Sequence, residues 1–196
     1  MGRAQSFDTT EVVRAARTVF WQHGFEGASL PLLEQATGLG RSSIYHAFES
    51  KRGLFDAAVD SYLDEVIRPR LRPLQQDVVA PTAVIDYVTG LRGALRSQGS
   101  LPMQSGCLLI NAATAPIGQD DAVAQRVNAY RAELRAALGN GIAAQLPHLG
   151  RRELNRLAGA CTGLVITAFA LVRVDPEAAA GSFDTALALI DAASAA

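Results

Sequence analysis

The residues Arg41–Phe48, RSSIYHAF, combine four kinds of hydrogen-bonding side chain within two turns of a predicted helix. At 100° per residue, Ile44 and Phe48 share one apolar face of that helix. The polar side chains on the opposite face and its flank are Arg41, Ser42, Ser43, Tyr45 and His46. Guanidinium and imidazole groups can donate hydrogen bonds to base edges or phosphates, and hydroxyls can donate or accept them. The chemistry that this segment offers is therefore hydrogen bonding to nucleic acid.

A helix of two turns is too short to be stable alone, so neighbouring elements have to hold it. Ser29 is predicted to cap a preceding short helix, Leu30–Thr37, and a turn with two glycines separates that helix from Arg41–Phe48. Two helices joined by such a turn form a helix-turn-helix, whose second helix enters the major groove of DNA. Lys51 starts the next helix, where backbone N–H groups and the helix dipole attract phosphate.

Helical periodicity continues along the rest of the chain, and no segment shows a sustained alternation of apolar and polar residues. The sequence therefore predicts an all-α fold. An N-terminal three-helix helix-turn-helix unit is expected in residues 1–50, and a ligand-binding and dimerisation unit of about six helices in residues 51–196. Within the second unit, a short sixth helix is expected after Ser105. A long seventh helix is expected over residues 120–146, which two glycines near its end could split or bend.

The composition is that of a globular protein and excludes several functional classes. Apolar residues make up 49% of the 196 residues and charged residues 19%, and the formal net charge is −1. The two cysteines provide neither a disulfide framework nor a zinc site, which favours a reducing, cytoplasmic location. The first twenty residues lack the apolar core of a signal peptide. The longest uncharged run, Leu157–Val172, is short for a membrane span, so a buried helix is expected there.

The residue types that carry most enzyme chemistry are scattered along the chain. The three histidines, His23, His46 and His148, are far apart in the sequence. There is no HExxH motif, serine nucleophile elbow, phosphate-binding glycine loop or paired-carboxylate arrangement. The sequence therefore predicts a protein that is not an enzyme and that uses no cofactor and no metal ion.

Five short patterns in a fixed order give the sequence a family resemblance. They are FWxxGF at residues 20–25, GxS at residues 27–29, AxGL at residues 36–39, IYxxF at residues 44–48 and SKxxLF at residues 50–55. The stretch from Val13 to Phe55 closely resembles the N-terminal DNA-binding domain of the TetR family of transcriptional regulators. The resemblance implies a homodimer that binds a pseudo-palindromic operator, usually as a repressor. It also implies release from the DNA when a small effector binds in the C-terminal domain.

Carried over by position, the resemblance implies seven DNA-contacting residues: Ser29, Arg41, Ser42, Ser43, Tyr45, His46 and Lys51. Two positions depart from the family pattern. Gly40 lies where a serine or threonine cap is commonest, and Ala47 replaces a frequent polar residue. These departures leave open which bases are read, and they do not contradict the fold.

Residues for an effector site and for dimer contacts are predicted from the helices of the second unit. The residues expected to line a mostly apolar effector site are Tyr62, Met103, Cys107, Leu109, Asn111, Tyr130 and Phe169. Gly159 and Gly163 are four residues apart, which allows two symmetry-related helices to cross closely. The residues expected at this dimer interface are Leu157, Cys161, Gly163, Leu164, Ala168, Leu171, Phe183, Leu187 and Ile190.

Two alternatives stay open from the sequence. If Ser105 caps the sixth helix, Cys107 lies in its first turn, where backbone N–H groups favour the reactive thiolate. The protein would then be a repressor that senses electrophiles or oxidants, although a buried cysteine is usually inert. The near-neutral net charge also permits a helical ligand-binding or interaction protein whose helix-turn-helix is vestigial.

Overall fold

The computed structural model of the chain describes residues 7–97 and 99–195, and the regular structure within these residues is helical, without strands. The α-helices are α1 (Thr9–Gly27), α2 (Leu30–Thr37), α3 (Arg41–Phe48), α4 (Lys51–Tyr62), α5 (Arg68–Leu71), α6 (Ala83–Arg96), α7 (Leu101–Ser105), α8 (Leu108–Thr114), α9 (Asp121–Gln145), α10 (Arg151–Leu171) and α11 (Pro176–Ser194). A π-helical segment, Leu63–Ile67, joins α4 to α5. Short 3₁₀ turns occupy Arg72–Leu74 and Pro116–Gln119. The all-α prediction is confirmed.

Helices α1, α2 and α4 each begin next to a polar side chain that bonds to one of the free N–H groups of the first turn. The Asp8 carboxylate accepts a hydrogen bond of 2.8 Å from the N–H two residues on and so opens α1. The Ser29 hydroxyl accepts from the N–H of Leu32 at 3.4 Å, and the Ser50 hydroxyl accepts from the N–H of Gly53 at 2.9 Å. The predicted bounds of α2 and α3 are both confirmed.

Helix α1 breaks at Gly24 and then continues for one more turn. Gly24 has φ 70° and ψ 176°, which breaks the helical path, and only glycine adopts this conformation without strain. The N–H of Ala28 then bonds to the Gly24 carbonyl at 3.1 Å, so a further turn forms beyond the break.

Contacts within the chain divide it into two compact units, one up to residue 67 (the N-terminal unit) and one from residue 68 (the C-terminal unit). This division differs from the boundary expected after residue 50, because α4 packs against α1. The ring of Phe20 in α1 meets the ring of Phe55 in α4 edge to face, with centroids 5.1 Å apart. Helix α4 therefore completes the core of the N-terminal unit.

The C-terminal unit is built on α9, α10 and α11, with α6 and α8 packed against them. Helix α9 runs unbroken through both of its glycines. A Cβ atom at Gly141 would lie 2.8 Å from Val84 Cβ and 2.5 Å from Leu74 Cδ2. Close packing therefore requires a glycine there, and the helix neither splits nor bends at it.

The chain around Ser105 differs from the prediction. Ser105 ends the five-residue helix α7, and Cys107 is the N-cap residue of α8, so its thiol does not lie in a first helical turn. Gly106 between them has φ 67°, and a Cβ there would lie 2.5 Å from the Phe169 carbonyl oxygen. The two helices are separate because the chain turns at Gly106 in a conformation that favours glycine.

Helix α10 contains the uncharged run noted in the sequence. Among the residues that the structure describes, it is the one helix long and apolar enough to span a membrane, with mean hydropathy 1.5 over an 18-residue window. Cys161, Val165 and Ala168 are fully buried. Only 28% of the window is buried within the chain, however, so the expectation of a buried helix holds for one side of α10.

Candidate nucleic-acid interface

Helix α3 is held by its apolar side and presents its polar side at the surface. Ile44 is completely buried, and Phe48 is half-buried. Arg41, Tyr45 and His46 are exposed, and Tyr45 is 36% exposed. Of the two serines, Ser42 is exposed and Ser43 half-buried. The structure thus separates the two faces of α3 as the sequence predicts.

The Arg41 side chain lies against the ring of Tyr45, with the guanidinium carbon 5.6 Å from the ring centroid. A cation over an aromatic face gains about 0.5–1 kcal/mol at an exposed site, which biases Arg41 toward one orientation. Gly40 is the N-cap residue of α3 and gives no side-chain hydrogen bond. The N-terminal end of α3 therefore combines a cation and a phenol with uncapped backbone N–H groups.

Lys51 is held in a comparable way at the start of α4. Its ammonium lies 4.6 Å from the centroid of the Phe25 ring, and its side chain is half-buried. Partial burial lowers the pKa of Lys51, and the charge of Glu26 acts in the opposite direction. Phe25 in turn meets Phe55 of the core edge to face at 5.2 Å. This ring therefore fixes the position of the chain's single lysine.

A tight turn sets the spacing between α3 and Lys51. Glu49 has φ 65° and ψ −39°, and the N–H of Ser50 bonds to the Phe48 carbonyl at 2.7 Å, which is the pattern of a γ-turn. A Cβ at Gly53 would overlap the Phe48 carbonyl oxygen, so a glycine allows α4 to start beside the end of α3. This turn could not be predicted from the sequence, because no residue-type pattern indicates a positive φ at a glutamate.

A network of hydrogen-bonded ion pairs joins α1 to the end of α4 and to the π-helical segment that follows it. Arg14 Nε donates to the two carboxylate oxygens of Glu65 at 2.9 and 3.0 Å, and Arg17 Nη1 donates to Glu65 Oε2 at 2.8 Å and to the Ser61 hydroxyl at 2.9 Å. Hydrogen bonds from Arg14, and then from Arg17, lower the pKa of Glu65. The partners are 44 to 51 residues apart in the sequence, so no local pattern could have indicated the network.

The seven residues predicted for an effector site are divided between the two units of the chain. Tyr62 belongs to the N-terminal unit, where its ring meets Trp21 edge to face at 4.7 Å, so it is a core residue of that unit. The other six lie in the C-terminal unit. Buried or nearly buried are Cys107, Leu109, Tyr130 and Phe169, and half-buried are Met103 and Asn111. The Asn111 amide donates to the Ser105 carbonyl at 2.6 Å.

None of these seven residues lines a cleft of about 460 Å³ that opens beside α6 in the C-terminal unit. The lining residues are Arg70, Pro73, Ala80, Ala83, Asp86, Tyr87, Gly90, Leu91 and Ala94. The spacing of the α6 residues places them on one side of that helix. The sequence contained one signal for the cleft. Gly90 lies inside the continuous helix α6, where an alanine would make the helix more stable.

The predicted dimer residues fall into two groups. Four are completely buried within the chain and have no surface left for a partner: Cys161, Ala168, Phe183 and Ile190. The other five keep accessible surface: Gly163 is exposed, and Leu157, Leu164, Leu171 and Leu187 are half-buried. The helix periodicity identified the apolar positions but could not tell which side of α10 and α11 faces the chain's own core.

Within the described residues, no group of three or more histidine, cysteine, aspartate or glutamate side chains could hold a metal ion. The structure gives one arrangement of polar groups around α3, namely the exposed polar side of that helix and Lys51, which follows it across the turn at Glu49. Its groups can donate to base edges and to phosphates.

Comparison with known sequences gives the family of the chain. Residues 12–58 match the family described as "Bacterial regulatory proteins, tetR family". The HTH-type transcriptional repressor ComR of Escherichia coli (strain K12) is 32% identical over 58% of the chain, and the match spans 53% of ComR, about half its length. YezE of Bacillus subtilis (strain 168), an uncharacterised HTH-type transcriptional regulator, is 32% identical over 72% of both chains.

Solved structures give the same result over nearly the whole chain. The TetR family transcriptional regulator CifR, as a cysteine variant in complex with 26-base-pair operator DNA, superposes with a TM-score of 0.80. It is 25% identical, and the match covers 97% of this chain and 99% of CifR. These relatives are named as transcriptional regulators and not as enzymes. The helix-turn-helix, the all-α C-terminal unit and these matches together show that the chain belongs to the TetR family of transcriptional regulators.

Proposed function

We propose that the protein is a homodimeric repressor that binds operator DNA through α3 and is released by a small effector. The division of α3 into a buried side at Ile44 and an exposed side with Arg41 and His46 carries this proposal. The major groove of B-DNA admits one α-helix, and this polar side offers donors to base edges. CifR, with the same fold, has been solved with its operator DNA, which supports the same use of α3 here.

Residues around α3 provide the phosphate contacts that position it. Lys51 is held over the Phe25 ring, Tyr45 extends a phenol from α3, and Ser29 lies at the start of α2. Contacts of this kind fix the register of a protein on DNA, whereas base contacts give the sequence preference. The seven predicted DNA-binding residues keep these roles in the proposal.

The exposed sides of α10 and α11 support a dimer. On α10 the outward side carries Ala160, Gly163, Leu164, Thr167, Ala170 and Leu171, and no residue from 157 to 172 is charged. On α11 the exposed residues Gly181, Thr185, Ala188 and Leu189 are small or apolar, and the exposed Asp184 between them pairs with Arg92 of α6. An uncharged surface of this length is unfavourable in water, and two copies of it can form a close four-helix contact. The five accessible residues of the predicted interface belong to the same two helices.

The proposed response to an effector depends on the distance between the two copies of α3. In such a dimer they have to match half-sites about 34–36 Å apart. An effector bound in the C-terminal unit changes this distance and misaligns both copies. A coupling free energy of about 1–3 kcal/mol is enough to weaken DNA binding roughly 5- to 150-fold.

We also infer a cytoplasmic protein without enzyme activity, cofactor or membrane partner. The family to which the chain belongs consists of regulators that act on DNA, and the DNA that such a protein binds lies in the bacterial cytoplasm. The apolar side of α10 is then used by the second copy of the chain and not by a membrane.

The two alternative functions are not favoured. A protein with a vestigial helix-turn-helix has no reason to keep an arginine and a histidine exposed on α3 and a lysine positioned beside them. A sensor cysteine has to be reached by its reagent, and Cys107 is 1% exposed. Alkylation of Cys107 in the native protein at the rate of a free thiol would restore the sensor hypothesis.

The proposed function is tested with DNA from upstream of the protein's own gene in a gel-shift titration. Retention of this DNA at nanomolar protein, and weaker retention by Tyr45→Ala, supports the proposal. Val78→Ala provides a matched control, because Val78 is an exposed residue of the C-terminal unit that lies on neither α3 nor the proposed dimer surface. Failure of the wild-type protein to retain any duplex at low salt would refute DNA binding.

A further inference from the structure

The cleft beside α6 has the size and the lining of a small-molecule site. Its volume of about 460 Å³ lies in the range of roughly 300–1,000 Å³ that is usual for ligand pockets. Most of the lining is apolar and small: Pro73, Ala80, Ala83, Gly90, Leu91 and Ala94. Ala83 and Leu91 are each 6% exposed, so the base of the cleft is formed by well-packed side chains.

Gly90 has no side chain to fill the part of the cleft that it lines. A glycine within a helix costs about 1 kcal/mol relative to alanine. A Cβ at Gly90 would have no atom within 4 Å, so packing does not require the glycine. The side chain that is missing there would instead extend into the cleft. Gly90 thus leaves open a part of the cleft that a larger residue would occupy, at a cost in helix stability.

Three polar side chains, those of Arg70, Asp86 and Tyr87, line the cleft beside its apolar residues. Tyr87 is half-buried in the wall, and burial raises the pKa of its phenol, with Cys107 adding to the rise and Arg70 opposing it. The phenol therefore keeps its proton and can donate a hydrogen bond, and Arg70 lines the same cleft. Asp86 is exposed, and its Oδ2 accepts a hydrogen bond of 2.9 Å from the Thr82 hydroxyl.

We propose that this cleft binds a small monocarboxylic acid with an apolar body, whose carboxylate is received by Arg70 and Tyr87. A guanidinium and a phenol O–H can together donate to both oxygens of a carboxylate. The alanine and glycine surface of α6 accommodates the apolar body. The Asp86 carboxylate disfavours a second negative charge on the ligand, so dicarboxylic acids are excluded. This assignment rests on the proposed function in one respect, because it names the chemical class of the effector.

The test is isothermal titration calorimetry of the full-length protein with octanoate and phenylacetate as probes. Octanamide, octylamine and suberate serve as the neutral, cationic and dianionic comparisons. We expect the two acids to bind saturably with one site per chain and the three comparison compounds to bind at least tenfold more weakly. Arg70→Gln is expected to weaken acid binding at least tenfold, because it removes a charge-assisted hydrogen bond. Asp86→Asn is expected to leave it unchanged or tighter.

A pair of glycine variants tests the location. Gly90→Leu fills the cleft and is expected to abolish acid binding. Gly93→Leu is the matched control, because it lies in the same helix, has no atom within 4 Å of a Cβ and does not line the cleft. Absence of acid binding by the wild type, equal binding of the amide or the amine, or retained binding by Gly90→Leu would each overturn the assignment.

The same samples separate this inference from the proposed function. Each variant is titrated with operator DNA in the absence of any acid. For the wild-type protein, retained DNA binding without acid binding overturns the cleft assignment and leaves the proposed function intact. If the wild-type protein does not bind the operator DNA, the proposed function is refuted, whatever the calorimetry shows.

Discussion

Lys51 provides the sharpest test of how the protein binds DNA. Lys51→Gln removes a positive charge that the Phe25 ring holds beside α3, and the rest of the N-terminal unit is left in place. Because the side chain is only partly buried, we expect the melting temperature to change by no more than a few degrees. Any effect on DNA binding can therefore be assigned to the lost charge and not to unfolding.

The size of the effect follows from counterion release. If each protomer neutralises about three phosphates, the slope of log K against log salt concentration is about −5 for the dimer. Removal of one contact per protomer brings this slope to between −3 and −4. Each lost contact costs about 1–1.5 kcal/mol, so the dimer loses roughly 30- to 150-fold in affinity at a fixed salt concentration.

The assay is fluorescence anisotropy with labelled operator DNA at several salt concentrations between 50 and 200 mM, roughly the range over which such contacts are resolved. Arg173→Gln is the charge-matched control, because Arg173 is an exposed residue of the C-terminal unit. We expect its slope to equal that of the wild type. An unchanged slope for Lys51→Gln, or an equal flattening for Arg173→Gln, would refute a specific phosphate contact at Lys51.

Four further predictions concern stability and assembly. Glu49→Gly should raise the free energy of unfolding by about 0.5–1 kcal/mol in urea denaturation, because glycine adopts φ 65° without strain, and Glu49→Gln should not. Gly141→Ala should lower it by about 1–3 kcal/mol, since the new methyl group would lie 2.8 Å from Val84 Cβ, and an unchanged midpoint would contradict this packing. The lowered pKa of Glu65 stabilises the fold above its unfolded-state pKa of 4.5, and this stability is lost as the pH falls through the lower folded-state pKa. Acid unfolding of Glu65→Gln should thus be less steep between about pH 5 and pH 3 than that of the wild type. Gly163→Trp should fold normally, because nothing lies within 4 Å of a Cβ there, yet it should shift sedimentation from dimer to monomer; a persistent dimer would place the interface elsewhere.

Much of the N-terminal unit could be predicted from the sequence, because its signals are local. Ser29 and Ser50 cap helices whose first residues were expected, and the face of α3 that Ile44 buries follows from its periodicity alone. The family patterns lie in the same stretch. A helix cap and an amphipathic helix face each depend on residues only a few positions apart, so a single sequence reveals them.

The C-terminal unit was predicted less well, because its functional surfaces depend on which side of each helix faces the core. Cys161 and Ala168 lie in an apolar stripe, yet they are buried in the chain and cannot contact a partner. Periodicity places residues on a common face and does not reveal what that face meets.

The helical character, the bounds of α2 and α3 and the residue types on α3 follow from the sequence alone. The division after residue 67, the Arg14–Glu65 ion pair and the cleft beside α6 do not. The difference lies in the range of the interactions. Caps and helix faces are set by neighbours a few residues away, whereas a cleft and a unit boundary result from contacts between residues that are distant in the chain.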